Sequence, residues 1–186
     1  MDFRKRALEL IDQYIKNQNL KRHLLATENL MRYLARKFGE DQEMWALAGL
    51  LHDLDWELTK ETPEKHPFIA IEVLKKEGFP NEIISAIEKH HPREGLVHNT
   101  NMEKALYACE EITGFIVAVT LVMPNKKLSE VTVERILNKF KEPSFAKGVN
   151  REIILKAEEM LGLKLEELTE IALKSMQEIS DQLGFS

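Results

Sequence analysis

Apolar residues recur at intervals of three and four along most of the chain, and this spacing limits the possible folds more than any other feature. The first segment shows the pattern, with residues that fall mainly on one helix face: Phe3, Ala7, Leu8, Ile11 and Ile15. Similar segments follow, and none keeps up the strict apolar–polar alternation of a half-buried strand. The sequence therefore predicts an all-α fold.

Capping and breaking residues predict where the helices begin and end. Asn19 is expected to begin the second helix and Gly39 to end it. A sixth helix should run without interruption from Asn101 through Val122, although its β-branched stretch resembles a strand. The other predicted helices lie at about residues 41–53, 69–77, 81–91, 129–141, 150–161 and 164–183.

Length and composition predict a single all-α domain spanning residues 1–186. The net charge of −5 predicts that there is no extended nucleic-acid surface. A lone cysteine, Cys109, cannot form an internal disulfide, which fits a reducing compartment. The most apolar run, residues 112–123, is too short to cross a bilayer, so we expect a cytoplasmic protein without a membrane partner.

Histidines and acids cluster at predicted helix ends. The chain has six histidines, which are His23, His52, His66, His90, His91 and His98. His52 and Asp53 close the third helix, and His90 and His91 close the fifth, where the backbone can turn both side chains of a pair toward one point. Glu110 falls on a largely apolar face of the sixth helix and should point inward, whereas Glu111 should face elsewhere.

An inward-pointing acid needs a partner, because burying an unpaired charge is costly. Imidazole and carboxylate together suit Fe, Mn, Ni, Co or Zn. The residues therefore indicate a metal site between helices, as in other helical bundles. Each residue also has a simpler interpretation when taken alone: His23 as a core histidine, His52 and Asp53 as a helix-end ion pair, and Asp55 as a solvated acid.

The order of these residues resembles the HD-domain superfamily of metal-dependent phosphohydrolases. The resemblance covers about residues 19–123 and leaves residues 129–186 as a C-terminal helical extension, which caps the domain or forms a homodimer contact. The similar segments are LLHDLDWE, KHPFIAIEVL, IISAIEKHH and ALYACEEITGF. Such an ordered set is far more specific than the HD dipeptide alone.

The resemblance implies a role for each matching position. His23, His52, Asp53 and Glu110 match the ligands of a first metal ion, and Asp53 would also bridge to a second ion and act in catalysis. The extra ligands of the binuclear branch are matched by His66 and His90. His91 matches a second histidine that only some members have, and it could contact metal or substrate. Arg93 is a further candidate for contact with metal or substrate, because it lies near the proposed ligands in sequence and not because it matches the family.

The chain departs from the family pattern at three places. Glutamate stands at position 110, where the family usually has aspartate. Asp55 and Trp56 replace the glycine and lysine that often follow the HD pair. No Gly-Tyr-Pro follows His91, so hydrolysis of cyclic dinucleotides is not supported.

The resemblance implies hydrolysis of a phosphoester or phosphoanhydride by metal-activated water, with one or two divalent transition metals as cofactor. A nucleotide or small phosphorylated metabolite is the expected substrate. Two alternatives remain open at this point, a di-iron oxygenase of the same superfamily and a non-catalytic nucleotide-binding sensor. The substitution at Glu110 favours the sensor somewhat, and the sequence does not separate hydrolysis from oxygenation.

Overall fold

The computed structural model describes residues 2–186 and contains α-helices, short 3-10 turns and no strand within them. The all-α prediction is confirmed. The helices are α1 (Phe3–Tyr14), α2 (Gln18–Phe38), α3 (Gln42–Leu51), α4 (Trp56–Thr59), α5 (Phe68–Lys76), α6 (Asn81–Lys89), α7 (Asn101–Cys109), α8 (Glu111–Leu121), α9 (Val133–Phe140), α10 (Arg151–Leu161), α11 (Leu165–Glu178) and α12 (Ser180–Leu183).

Capping residues set the bounds of α2. The side chain of Asn17 accepts hydrogen bonds from the backbone N–H groups of Asn19 (2.8 Å) and Leu20 (3.2 Å), so the N-cap of α2 lies two residues before the predicted cap, Asn19. Gly39 ends the helix as predicted, in the left-handed conformation with φ of 69°.

The predicted sixth helix is divided in two at Glu110, so the prediction of one uninterrupted helix is wrong. The backbone N–H of Thr113 donates to the carbonyl oxygen of Glu110 (3.1 Å), and the Thr113 hydroxyl donates to the same oxygen (2.9 Å). This three-residue spacing and the extra bond interrupt the regular helical ladder. Apolar periodicity continues across the break, which is why the spacing of residues did not reveal it.

Helix α2 packs along α3, and this contact brings His23 and His52 close together. A Cβ atom at Gly49 would lie 2.7 Å from the carbonyl oxygen of Thr27, so only glycine allows this close approach. On the other side, α10 packs along α7, and α11 packs on α2, α8 and α9. The C-terminal helices therefore share one apolar core with the N-terminal ones.

No helix in residues 2–186 combines the length and the apolar character that crossing a bilayer requires.

Candidate metal centre

The structure brings all six predicted metal ligands into one cluster. His23 comes from the first turns of α2, and His52 and Asp53 directly follow α3. The remaining three are His66, which precedes α5, His90, which ends α6, and Glu110, which lies at the break between α7 and α8. Helices that are far apart in sequence thus converge here.

Distances between ligand atoms divide the cluster into two halves. In one half, the Nε2 atom of His23 lies 3.2 Å from Nε2 of His52 and 3.4 Å from Oε2 of Glu110. In the other half, the Nε2 atoms of His66 and His90 are 3.1 Å apart.

Asp53 lies between the two halves and presents one oxygen to each. Its Oδ2 is 3.5 Å from Nε2 of His52. Its Oδ1 is 3.3 Å from Nε2 of His66 and 3.4 Å from Nε2 of His90. A carboxylate placed in this way has the geometry of a bridging ligand.

The Nδ1 atoms of the buried histidines are already occupied. Nδ1 of His52 lies 2.8 Å from the carbonyl oxygen of Gly49, and Nδ1 of His90 lies 2.6 Å from that of Ile87. A carbonyl oxygen only accepts, so each Nδ1 carries a proton, and in the neutral form of the ring each Nε2 presents a lone pair to the cluster.

His23 and His66 are oriented by side chains instead of carbonyl groups. Nδ1 of His66 donates to Oδ1 of Asp55 (2.7 Å). The Thr113 hydroxyl gives its proton to the backbone of Glu110, so its oxygen accepts from Nδ1 of His23 (3.1 Å). Both histidines therefore also direct Nε2 into the cluster, and this atom has a free lone pair when the ring is neutral.

This donor set fits a divalent transition metal. Lone pairs face one another at 3.1 and 3.2 Å with two carboxylates beside them, an arrangement that is repulsive unless positive charge lies between the groups. Neutral imidazole held by a bond at its other nitrogen is the usual form of a histidine ligand. Two sets of three residues offer ligand atoms within 4.8 Å of one another: His23 with His52 and Glu110, and His52 with Asp53 and His90.

Electrostatics favour the same conclusion. Burial lowers the pKa of His52 to about 4, so this imidazole stays neutral at pH 7. Burial alone would raise the pKa of Asp53, but His52 and His90 outweigh burial and hold that pKa well below its usual range. The pKa of His90 is raised despite burial, because Asp53 favours its charged form. Positive charge is therefore stabilised at the centre of the cluster.

A cavity of 480 Å³ opens onto the cluster. The ligands form one wall, and Trp56, Tyr107 and the start of α10 form others. Glu111 also lines this cavity, contrary to the expectation that it faces elsewhere. Burial and the nearby charge of Glu110 raise the pKa of Glu111 to about 7.

The two additional candidates lie in different places. His91 lines the cavity, with its ring 5.5 Å from that of His66. Arg93 lines a neighbouring cavity instead, where its guanidinium lies 4.8 Å from the Phe68 ring centroid and donates to the carbonyl oxygen of Glu88 (2.6 Å).

Sequence reasoning missed the residues that orient the ligands. Asp55, which the sequence alone suggests is a solvated acid, is only 1% exposed and accepts a hydrogen bond from Nδ1 of His66. The Thr113 hydroxyl forms a hydrogen bond with Nδ1 of His23, which lies 90 positions earlier in the sequence. The available signal was chemical, because histidine ligands usually have a carboxylate or carbonyl behind them. Glu57, Glu61 and Glu64 are nearer to His66 in sequence than Asp55, so sequence distance did not single out the partner.

Comparison with known proteins places this site in a family. The HD domain profile matches residues 20–114. Ribonuclease Y of Latilactobacillus sakei subsp. sakei is 28% identical over 180 residues, which cover 90% of this chain and 32% of that protein. Ribonuclease Y of Enterococcus faecalis is 28% identical over 179 residues, which cover 90% of this chain and 33% of that protein. Ribonuclease Y of Staphylococcus epidermidis is 35% identical over 94 residues, which cover 50% of this chain and 18% of that protein.

The chain spans about a third or less of the length of these curated relatives. No solved structure matches the chain significantly.

The prediction that there is no extended nucleic-acid surface is wrong, because proteins similar over 90% of the chain are ribonucleases. That prediction used the net charge of −5, which is a sum over all residues. Contact with a substrate depends on the local surface around the site, and a whole-chain sum does not describe it.

Proposed function

Because the chain belongs to the HD domain family, we propose that it is a metal-dependent phosphohydrolase and that it cleaves phosphodiester bonds of RNA. The observation that carries the proposal is the convergence of four histidine Nε2 atoms on the carboxylates of Asp53 and Glu110. The similarity to ribonucleases supports RNA as the substrate class, in place of a small phosphorylated metabolite.

The two halves of the cluster support a site for two divalent ions, drawn from Fe, Mn, Ni, Co and Zn. His23, His52 and Glu110 would hold one ion, and His66 and His90 would hold the other. Asp53 would bridge them, since each of its oxygens faces one half. The longer side chain of Glu110 reaches to within 3.4 Å of His23, so this glutamate can serve where the family usually has aspartate.

When bound, such ions lower the pKa of water and offset the charge of phosphoryl oxygens. The residues of the chain supply the geometry for that chemistry. The bonds at Nδ1 keep the histidines in the ligand tautomer, and the open cavity lets a phosphodiester reach the cluster. Asp53 faces this cavity and would orient the attacking water.

The experiment combines elemental analysis with hydrolysis of bis(p-nitrophenyl) phosphate and an oligoribonucleotide. Protein purified without added metal should contain about two transition-metal ions per chain and should hydrolyse both substrates. Asp53→Asn removes the bridging charge but keeps the side-chain shape, so both the metal content and the activity should fall.

Asp181→Asn is the matched control, because Asp181 is exposed on α12. It should keep the metal content and activity of the wild type. Circular dichroism checks that the Asp53 variant still folds. If folded Asp53→Asn protein kept its full metal content and activity, the ligand assignment would be wrong.

A further inference from the structure

A second cavity, of 570 Å³, lies beside the metal cavity. Its volume falls within the range of about 300–1,000 Å³ that small-molecule sites occupy. The two cavities share Pro92 and Tyr107 as a common wall, and Tyr107 is only 7% exposed. The two cavities are therefore neighbours on either side of the Tyr107 edge.

Helix α10 runs along both cavities with one face. Ile153 lines the metal cavity, and Lys156 and Glu159 line the second one at successive intervals of three residues. Three residues of helix rise about 4.5 Å. The two cavities thus follow one another along α10.

Two cations of the second cavity lack an acidic partner. Lys156 donates to the Tyr107 hydroxyl (3.2 Å), and within residues 2–186 neither Lys156 nor Arg93 forms an ion pair. The Nε atom of Arg93 is buried without a hydrogen-bond partner in the described part of the chain. These groups are suited to phosphate oxygens.

The other lining groups are not those of a simple anion site. Glu94 and Glu159 also line the cavity and oppose the charge of the cations. The aromatic rings of Tyr107 and His98 lie 4.4 Å apart beside them. Cations, carboxylates and aromatic edges together match a nucleotide, which presents a phosphate, hydrogen-bond donors and an aromatic base.

We infer that the second cavity binds the nucleotide next to the scissile phosphodiester of a single-stranded RNA. This inference rests on the proposed function, since it extends the same substrate beyond the metal cavity. Lys156 and Arg93 bind the flanking phosphate, and the Tyr107 edge separates the reacting phosphodiester from that nucleotide.

The test is binding of a fluorescently labelled oligoribonucleotide to the metal-loaded protein, measured by anisotropy over a series of salt concentrations. Phosphorothioate linkages keep the charge of the strand and slow its hydrolysis. Lys156→Met should weaken binding about fivefold, and removal of one phosphate contact should reduce the salt slope by about 0.7. Lys174→Met is the matched control, because Lys174 is exposed on α11 and lines neither cavity.

A salt slope for Lys156→Met equal to that of the wild type would overturn the inference. The same variants are then assayed with bis(p-nitrophenyl) phosphate, which is too short to reach beyond one phosphodiester. The KM for the oligoribonucleotide should rise at least fivefold more than the KM for this diester. An equal rise for both substrates would also contradict the second site. If the wild-type protein lacked diesterase activity, the proposed function would be contradicted. The second binding site would still be tested, because anisotropy measures RNA binding without hydrolysis.

Discussion

Asp55 uses both of its carboxylate oxygens inside the protein. Oδ1 accepts from Nδ1 of His66 (2.7 Å), and Oδ2 accepts from the backbone N–H of Ala70 at the start of α5 (2.9 Å). The first bond fixes the tautomer and the ring orientation of His66, and a carboxylate behind an imidazole also makes it a stronger ligand. The second bond fixes Asp55 itself.

Asp55→Asn should therefore weaken the half of the centre that His66 serves. An amide cannot accept at both positions, so either the bond to His66 or the bond to Ala70 is lost. We expect affinity for one metal ion to fall about 10- to 100-fold. Metal titration followed by calorimetry would measure this, with Asp181→Asn as the exposed control. Two unchanged binding steps in folded Asp55→Asn protein would contradict the role of Asp55.

At this scale, the sequence predicts the site residues whose order along the chain forms a family motif. His23, His52 and Asp53 were named because they stand in the family order, and the structure brings them together. Asp55 and Thr113 do not belong to that order. Their importance depends on distances that only the fold creates, such as the contact between Thr113 and His23.

At the scale of the elements, the close contact of α2 and α3 positions His23 and His52. Gly49 makes this contact possible, because a Cβ there would meet Thr27 at 2.7 Å and Met31 at 3.0 Å. The carbonyl oxygen of Gly49 also accepts the proton of His52 Nδ1. One glycine thus links helix packing to ligand orientation.

Gly49→Ala should separate the two helices and disturb the centre together with the fold. Overpacking costs about 1–3 kcal/mol, which exceeds the gain of up to about 1 kcal/mol from helix propensity. Urea denaturation measures the loss, and metal content should fall with it. Gly114→Ala is the control, because the nearest atom to its Cβ is Val149 Cγ2 at 4.0 Å, so this variant should be at least as stable as the wild type. Equal stability of the two variants would contradict the packing argument.

A capping box at the start of α7 contains a strongly perturbed acid. Glu103 accepts from the backbone N–H groups of Asn99 and Thr100, and from Ser85 and Lys89. Burial would raise the pKa of Glu103, but these bonds outweigh it and lower the pKa to about 2. The folded state therefore favours the carboxylate over the acid.

Glu103→Gln should cost stability that depends on pH. The folded pKa lies below the unfolded value of about 4.3, so the contribution is present above pH 4.3 and is lost as the pH falls through the folded value. We expect Glu103→Gln to be about 2 kcal/mol less stable at pH 7 and about half that near pH 3. Urea unfolding at both values measures the difference. The control is Glu170→Gln, at an exposed position, which should change the unfolding free energy by less than about 0.5 kcal/mol. If the loss of stability in Glu103→Gln were the same at both pH values, the lowered pKa of Glu103 would be contradicted.

The elements themselves were largely predictable, because helical spacing and capping residues act locally. Gly39 and Asn150 mark helix ends in the structure as they do in the sequence. The break at Glu110 was not predictable from spacing, since Thr113 produces it through hydrogen bonds to one carbonyl oxygen. That break lies where a proposed ligand enters the cluster.

At the scale of the whole molecule, the cluster joins segments that are far apart in the chain. The proposed ligands come from α2, from the end of α3, from the end of α6 and from the break between α7 and α8. Lone pairs and carboxylates meet there within an otherwise apolar core. A bound cation would replace repulsion between these groups with attraction, so metal binding and folding stability should be coupled.

Removal of metal should consequently lower the melting temperature of the whole domain. A ligand present at one hundred times its Kd stabilises the folded state by about 2.7 kcal/mol. For a chain of this size that corresponds to a Tm shift of about 5–10 °C. Thermal unfolding before and after EDTA treatment measures the shift, and returning Mn²⁺ or Fe²⁺ should restore it. Asp53→Asn should show a much smaller shift, because it lacks the charge between the two halves, whereas Asp181→Asn should respond like the wild type. If EDTA removed the metal and the Tm stayed unchanged, this coupling would be contradicted, because the cluster would then be stable without a cation.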